Sequence, residues 1–428
     1  MFETLANIFR IPDLRRRIFY TLMILVVFRI GTFIPAPNIN VDLLNIQANN
    51  IFGFLNVFGG GALENFSIFA MGIYPYITAS IIVQLLSMDV VPKFAEWAKQ
   101  GQEGRRKLAQ FTRYFTVVLA FIQAIGMTIG FNRIFPGLVE NPSFGTYLLI
   151  TLTLTAGTTL LMWMGEQINE KGIGNGISII IFGGIVAGLP NAVRAIYASE
   201  FFGAGDQWFL NLVKLLAILL VVIAIIVGVI YVQQGVRRIP IQYAKRVVGR
   251  RMYGGQMTHL PIRVNAAGVI PVIFAMALLI FPTTIAGFWQ GHGWADWIIE
   301  HFNYNRPLGM FLYVILIIGF TYFYTYVQIN PQQLAENLKK NGGYIPGVRP
   351  GKATEMYLVG VLNRITLTGA LFLAAVAILP VFFTAVTKLP QTVQFGGTSL
   401  LIVVGVALDT MKQIDSQLVK RHYKGFIK

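Results

Sequence analysis

Residues 347–354 read GVRPGKAT, the outline of a loop whose backbone amides would cradle a phosphate. The outline fails at two places. That motif needs Gly where Pro346 stands and Ser or Thr where Ala353 stands. The run GIGNGI at 172–177 follows an apolar stretch and not a strand, so it does not make a dinucleotide turn. The chain has no cysteine, which excludes disulfides and thiolate metal ligands. Of the four histidines, only His292 and His301 share a loop, and they make no metal cluster. With no constellation for nucleophilic or acid–base catalysis, the sequence predicts no enzyme, no cofactor and no metal. Its work is expected to be physical.

The residues with the most regular placement are apolar. Gly72-Ile-Tyr-Pro75-Tyr-Ile77-Thr-Ala79 matches Gly268-Val-Ile-Pro271-Val-Ile273-Phe-Ala275. Gly176-Ile-Ser178-Ile-Ile-Ile181 matches Gly397-Thr-Ser399-Leu-Leu-Ile402. Each pair lays an isoleucine on the same helix face: Ile77 with Ile273, and Ile181 with Ile402. Ile73 and Ile177 lie one turn before Ile77 and Ile181. Two readings fit these positions. One is plain core packing. The other is a ring of converging apolar side chains, a constriction that water does not wet and ions do not cross.

The elements that would position such a ring are membrane spans. The chain has 428 residues, 55% hydrophobic and only 12% charged. Repeated apolar runs of about 17–25 residues predict a polytopic membrane protein. Ten spans are expected, at 18–34, 74–90, 111–131, 146–164, 177–197, 209–232, 266–289, 308–329, 357–383 and 396–411. The first is followed by Pro35-Ala-Pro37, with no small-residue cleavage site, and reads as a retained span. Lys and Arg number 34. All but Arg29, Arg133, Arg194, Lys214, Arg306 and Lys388 fall on one side of this topology, which the positive-inside rule makes cytoplasmic, both termini included. The polar loop 93–107, the tight turn 166–176 and the long loops 233–264 and 330–355 lie on that side. Anionic lipid is one partner for such basic flanks. The matched segments divide the chain into residues 1–200, spans one to five, and residues 201–428, spans six to ten. Five spans per half is odd, so the second half must run inverted, with a pathway at the interface between halves.

The stretch Asn56–Ser87 is too apolar for a loop and too interrupted for one span. Gly59, Gly60 and Gly61 open it, Ala62 to Met71 form a short segment, and Gly72 and Pro75 break it. It fits a discontinuous membrane helix, or an external loop helix followed by one plain span.

At these residues the chain closely resembles the SecY/Sec61-alpha family, the channel subunits of the protein-translocation complex. The similarity runs over nearly the whole length. It is carried by FGGGALENFSIFAMGIYPYITASIIVQLL, MGEQINEKGIGNGISIIIFGGIVAGLP, YAKRVVGRRMYGGQMTHLPIRVN, NPQQLAENLKKNGGYIPGVRPGKAT and FGGTSLLIVV. The resemblance implies an all-α membrane protein, ten transmembrane helices in two inverted five-helix halves around an hourglass pore. It implies a pore ring of Ile73, Ile77, Ile177, Ile181, Ile273 and Ile402. The position before Ile273 on that helix face is Val269 and is left out of the ring. A plug would come from a short helix near 60–70: Gly60, Gly61, Ala62, Leu63, Glu64, Asn65, Phe66, Ser67, Ile68 and Phe69.

The same resemblance implies a lateral gate between spans two and three on one side and seven and eight on the other, with Gln84 and Phe281 at matched positions. Gln84 read by itself is as well explained by one interhelical hydrogen bond. Arg250, Arg251 and Arg349 match loop residues that engage the SecA ATPase motor or the ribosome. The small membrane subunits SecE and SecG and signal-peptide-bearing polypeptides are the other implied partners, and the bacterial plasma membrane the implied location. Arg349 also stands out on its own, framed by Pro346-Gly347 and Pro350-Gly351, a frame that pre-shapes a loop tip. A small-solute transporter would need ionisable groups near the midplane, and the span centres have almost none. A membrane-anchored scaffold would leave the repeated isoleucines unexplained.

Overall fold

A computed structural model describes residues 11–44, 56, 59–88, 91–200, 208–243, 246–248, 251–253, 257–286, 289, 291–303, 306–387 and 398–424. A helix lies at each of the ten expected spans. They are α1 (Pro12–Gly31), α2 (Tyr74–Leu86), α4 (Gly101–Ile134), α5 (Phe144–Lys171), α6 (Gly176–Glu200), α7 (Trp208–Gln234), α8 (Ile270–Ala286), α10 (Pro307–Gln328), α12 (Lys352–Thr387) and α13 (Thr398–Lys424). Three shorter helices join them: α3 (Pro92–Lys99), α9 (Gly293–His301) and α11 (Pro331–Lys340). By length and composition α4, α5, α7, α10 and α12 suffice to cross a membrane, and α2, α6 and α8 contain shorter apolar helices. The chain is a multi-pass membrane protein.

Local chemistry sets the helix starts. The Ser143 hydroxyl accepts from the Thr146 amide ahead of α5, and Asn175 accepts from Ile177 and Ser178 at the head of α6. These caps satisfy amides that the helix itself leaves open. The matched glycines of the repeat behave alike. Gly72 (φ +57°) precedes α2 and Gly268 (φ +65°) precedes α8, each in the left-handed region that only glycine enters freely. Each is followed by a helix with proline in its first turn, where proline costs no hydrogen bond. Gly397 lies outside the described residues.

Helices α1, α2, α4, α5 and α6 pack on one another, and so do α7, α8, α10, α12 and α13. The principal contacts between the two groups run along two seams, α8 against α2 and α4, and α13 against α6. The central apolar core lies between them, with Ile77, Ile181, Ile273 and Ile402 among its buried members. Apolar helices gain nothing from leaving lipid for one another, so this packing rests on shape and on a few polar contacts. Tyr326 donates to the Asn363 side chain (2.6 Å) and Tyr322 to the Asn363 carbonyl (3.1 Å), joining α10 to α12.

Three expectations are corrected at the basic end. The polar loop 93–107 is helical, being α3 and the first turns of α4. Arg113 on α4 pairs with Glu166 on α5 (2.6 Å), and Phe94 stacks near Phe111, so the helices extend beyond the apolar run and hold each other there. The turn 166–176 shrinks to 172–175 because the polar residues 166–171 continue α5. The two long loops are not independent. Between α7 and α8, β1 (Val236–Tyr243) and β4 (Met257–Arg263) pair as the antiparallel strands of a hairpin, and β2 (Arg246–Val248) pairs with β3 (Arg251–Tyr253). The strand β5 (Gly343–Tyr344), from the other loop, adds to β1 with Gln242 opposite Tyr344 and Tyr243 opposite Gly343. Ile239 and Ile262 from the hairpin share a small core with Ala335, Ile345, Leu358 and Leu362.

Because proline has no amide to give a ladder, Tyr344→Pro is expected to detach β5 from β1. Limited trypsin digestion of the purified protein should then cut after Lys352 at least about fivefold faster than in the wild type. Equal cutting rates would show that the strand pairing does not hold the loop.

Candidate functional site

Five of the six ring isoleucines line one small cavity: Ile73 and Ile77 from the start of α2, Ile181 from α6, Ile273 from α8 and Ile402 from α13. All five are buried. Phe28, Leu161, Ile180, Val272, Met276 and Tyr313 complete much of the wall. The volume open to water centres is ≈ 20 Å³, room for about one water, and the wall offers that water almost no polar partner. Ile177 is half-buried beside Gly165 of α5 and is not on this wall. Ile180, one turn later, is on it. Sequence reasoning missed Ile180 and Met276, although each stands a helical turn from a residue it found.

Gly59 and Gly72, which flank the expected plug segment, are both in the wall of this cavity, and Ala62 and Phe69 pack in the same apolar core as the isoleucines. The segment is not the short helix that was expected. Residues 59–73 form successive turns, because three glycines at the start and Gly72 at the end favour bends over helix. Its backbone is satisfied by its neighbours. Ile68 N–H donates to the Ile34 carbonyl (3.0 Å) and Ala36 N–H to the Phe66 carbonyl (2.9 Å), and the Asn65 side-chain amide donates to the Thr32 carbonyl (3.1 Å). Arg29 of α1 donates a charge-assisted hydrogen bond to the Gly60 carbonyl and lies 4.5 Å from the Phe33 ring centroid.

Glycine notches receive the side chains of this segment. A Cβ on Gly31 would strike the Phe69 ring, and one on Gly157 would strike the Ile68 carbonyl. Ala62, Leu63, Phe66, Ser67 and Phe69 are fully or almost fully buried. Gly60 is buried, Gly61, Asn65 and Ile68 are half-buried, and Glu64 is exposed, its amide bonded to Asn56 (2.9 Å).

A second, narrow cavity follows the seam between the two helix groups. Thr78 of α2, Gln123 and Met127 of α4, and Ala277, Phe281 and Thr284 of α8 line it, below Ala70 and Met71. Phe281 is therefore at the seam. Gln84 is not on this wall. Its amide nitrogen donates to Ser80 (3.2 Å) and its buried oxygen has no hydrogen-bonding partner among the described residues. Gln123 is a buried amide in the middle of a span, and its polarity inside an apolar run was the signal that could have found it.

On the basic side of the isoleucines the space widens abruptly. A polar cavity there has ≈ 490 Å³ open to water centres. Its wall includes Asn175, Gln233, Arg263, Asn265, Asp409 and Lys412. Burial pushes the pKa of the Lys412 ammonium down; Arg263 adds to this and Asp409 opposes it. Val269 belongs to both regions, lining the polar cavity and packing in the central apolar core.

Of the three loop arginines, Arg250 lies outside the described residues, and Arg251 begins β3. Arg349 is exposed at a loop tip shaped by Gly347 (φ +82°) and Gly351 (φ +107°). The buried Thr354 hydroxyl ties the tip down by donating to the Arg349 carbonyl (2.9 Å).

The arrangement so far is a tight apolar collar, a non-helical cover on one side, a wide polar chamber on the other and a seam between two groups of helices. The SecY family model matches residues 67–411. This chain belongs to the SecY family. It is 66% identical over 430 residues to the protein translocase subunit SecY of Halalkalibacterium halodurans and 59% identical to that of Bacillus subtilis, each alignment covering 100% of both chains. The fold is also that of a solved protein-conducting channel (TM-score 0.64, 19% identity, 97% of this chain and 95% of the other). A SecY structure whose plug domain stabilises the closed state and maintains a membrane seal has a TM-score of 0.62 at 20% identity, with the same coverage. Canine Sec61, solved in a ribosome–channel complex, has a TM-score of 0.61 at 18% identity, again with 97% and 95% covered.

The Arg29 contact gives a direct test of what holds the cover in place. A hydrogen bond to a charged group contributes about 1.5–3 kcal/mol, enough to shift a closed-to-open ratio by roughly tenfold or more. Arg29→Leu should raise resting ion conductance in planar bilayers by about tenfold, and Arg29→Lys by less. Wild-type conductance in Arg29→Leu would show that this tether does not maintain the seal.

Proposed function

We infer that the chain is a protein-conducting channel, which passes unfolded secretory polypeptides across the membrane and releases hydrophobic segments sideways into lipid. The convergence of isoleucines from α2, α6, α8 and α13 on one nearly dry cavity, beside a wide wet one, carries this reading. A polar chain can be hydrated in the chamber and then pass through a collar with no hydrogen-bonding preference. The collar closes on whatever side chain is passing and leaves ions no hydrated path. Residues 60–69 act as the plug, held over the collar until a client displaces them. The two halves are residues 1–200 and 201–428.

The seam lined by Thr78, Gln123 and Phe281 is the lateral gate, with Gln84 farther along α2 as its other polar member. Once it opens, partition decides the fate of each segment. A central Leu favours lipid by about 0.3–0.6 kcal/mol and a charged residue costs about 2.5–3.5. Over about twenty residues that sum separates a membrane anchor from a secreted segment.

The protein has no catalytic role of its own in this reading, and drive comes from a partner. The basic end faces the cytoplasm of a bacterium, with both termini there, and the membrane is the plasma membrane. SecA or a ribosome docks on the loops carrying Arg250, Arg251 and Arg349. Support comes from the exposed, framed tip at Arg349 and from the relatives themselves, since canine Sec61 and yeast Ssh1 were each solved with a ribosome. SecE and SecG complete the complex, and anionic lipid neutralises the remaining basic flanks.

Replacing Ile77, Ile181, Ile273 and Ile402 together by Ser should wet the collar and raise resting ion conductance by at least about tenfold. Unchanged conductance would return these residues to simple packing. Arg349→Glu should cut ATP-dependent transport of a secretory precursor into vesicles by at least about fivefold, with complex assembly and resting conductance unaltered. Arg349→Lys should restore part of it, since an ammonium lacks the planar fork of guanidinium. A wild-type rate for Arg349→Glu would remove the docking role.

A further inference from the structure

The polar chamber contains two side chains that the preceding reading does not use. Gln233, at the end of α7, and Asn265, just before α8, are each only 6% exposed and both line the chamber. The Gln233 amide nitrogen and the Asn265 amide oxygen are buried and have no hydrogen-bonding partner among the described residues. The Asn265 nitrogen is committed to the Gly268 carbonyl (3.0 Å), which leaves its oxygen for another partner. Gln233 lies against Gly405 of α13, where an added Cβ would come within 2.9 Å of its nitrogen. A buried polar atom left unpaired costs free energy that a well-packed apolar residue would not. Both residues line one chamber, in the wall between the basic end and the isoleucines, and the unpaired donor and acceptor sit just beneath that wall with almost no exposed surface in this conformation.

We propose that Gln233 and Asn265 form a docking point for the main chain of the polypeptide in transit, taking a peptide carbonyl on the Gln233 nitrogen and a peptide N–H on the Asn265 oxygen. Every residue except proline carries that donor and acceptor, so the site takes extended chain of nearly any sequence. The inference rests on the channel reading and adds a ligand to it. Such contacts would hold a chain at the mouth of the collar between pushes and slow its retreat, while remaining weak enough to release it.

The test uses vesicles holding the complete translocation complex and a precursor stalled in transit by a folded domain at its trailing end. ATP is removed, and the rate of retreat is followed by the loss of protease protection of the leading end. Three precursors place Gly/Ser-rich, Asn/Gln-rich or mixed-charge sequence in the chamber. Gln233 is the residue to change, because Asn265 also supports Gly268. In Gln233→Leu, retreat should be about tenfold faster for all three precursors, the equivalent of about 1.4 kcal/mol. Gln233→Glu keeps the size but replaces the donor by an acceptor, and should also accelerate retreat.

Wild-type retreat in both variants would overturn the proposal and leave the two groups as sites for ordered water. So would an effect confined to one precursor, since the chamber would then be reading side chains. Failure of both variants to assemble at wild-type yield would assign the pair to packing and overturn it as well. A wild-type complex that takes up none of the precursors would instead defeat the channel reading, and this inference with it.

Discussion

A peptide backbone that leaves the helix at membrane depth must find partners for its N–H and C=O groups, because lipid supplies none. Residues 59–73 make that demand, and much of the surrounding structure answers it. The residues just after α1 offer the Ile34 carbonyl to Ile68 N–H and receive the Phe66 carbonyl on Ala36 N–H, while the Thr32 carbonyl takes the Asn65 side chain. Arg29 is tolerable within an apolar helix because it has the Gly60 carbonyl to bond. Helix α5 approaches closely enough to seat Ile68 because residue 157 has no side chain. The irregular segment and the two helices that carry Arg29 and Gly157 therefore specify one another.

The isoleucine collar is tied to this arrangement, since Ala62 and Phe69 of the segment pack in the same apolar core. Isoleucine suits the place for two reasons. It carries no polar atom to order water, and its β-branch restricts rotation, so the opening does not collapse or gape through loose rotamers. The change from ≈ 20 Å³ to ≈ 490 Å³ of water-accessible space takes place around Val269. A chain moving inward from the basic end thus loses its hydration over a very short distance. That keeps the desolvated stretch to a few residues at a time and so limits the free energy that passage demands.

The spans were legible because length and apolarity are local properties, and Ile77, Ile181, Ile273 and Ile402 because the repeat aligned them. Ile73 and Ile177 stand one turn before Ile77 and Ile181; the first shares the cavity wall, and the second lies off it with Ile180 on it. The helical start of α4 was hidden because GQEGRRK is polar throughout and packs only through its own short neighbour α3. The sheet at the basic end was hidden for a different reason. VRRIPIQY carries a proline in its middle, ordinarily evidence against a paired strand, and β5 comes from about a hundred residues away. The non-helical form of residues 59–73 depended on partners in α1 that no local pattern reveals. Gln233 and Asn265 carry no motif at all, and only their burial together in one wall sets them apart.

The pairing of β5 with β1 has a mechanical consequence. One loop hangs between α7 and α8, the other between α10 and α12, and the sheet joins them into a single stiff projection. A load applied at the Arg349 tip is carried through the ladder into the base of α8, the helix that faces α2 and α4 across the seam. The projection is then a crank handle. A partner that does no more than lean on it exerts torque on one side of the seam, and the work of parting the helices is delivered from outside the membrane.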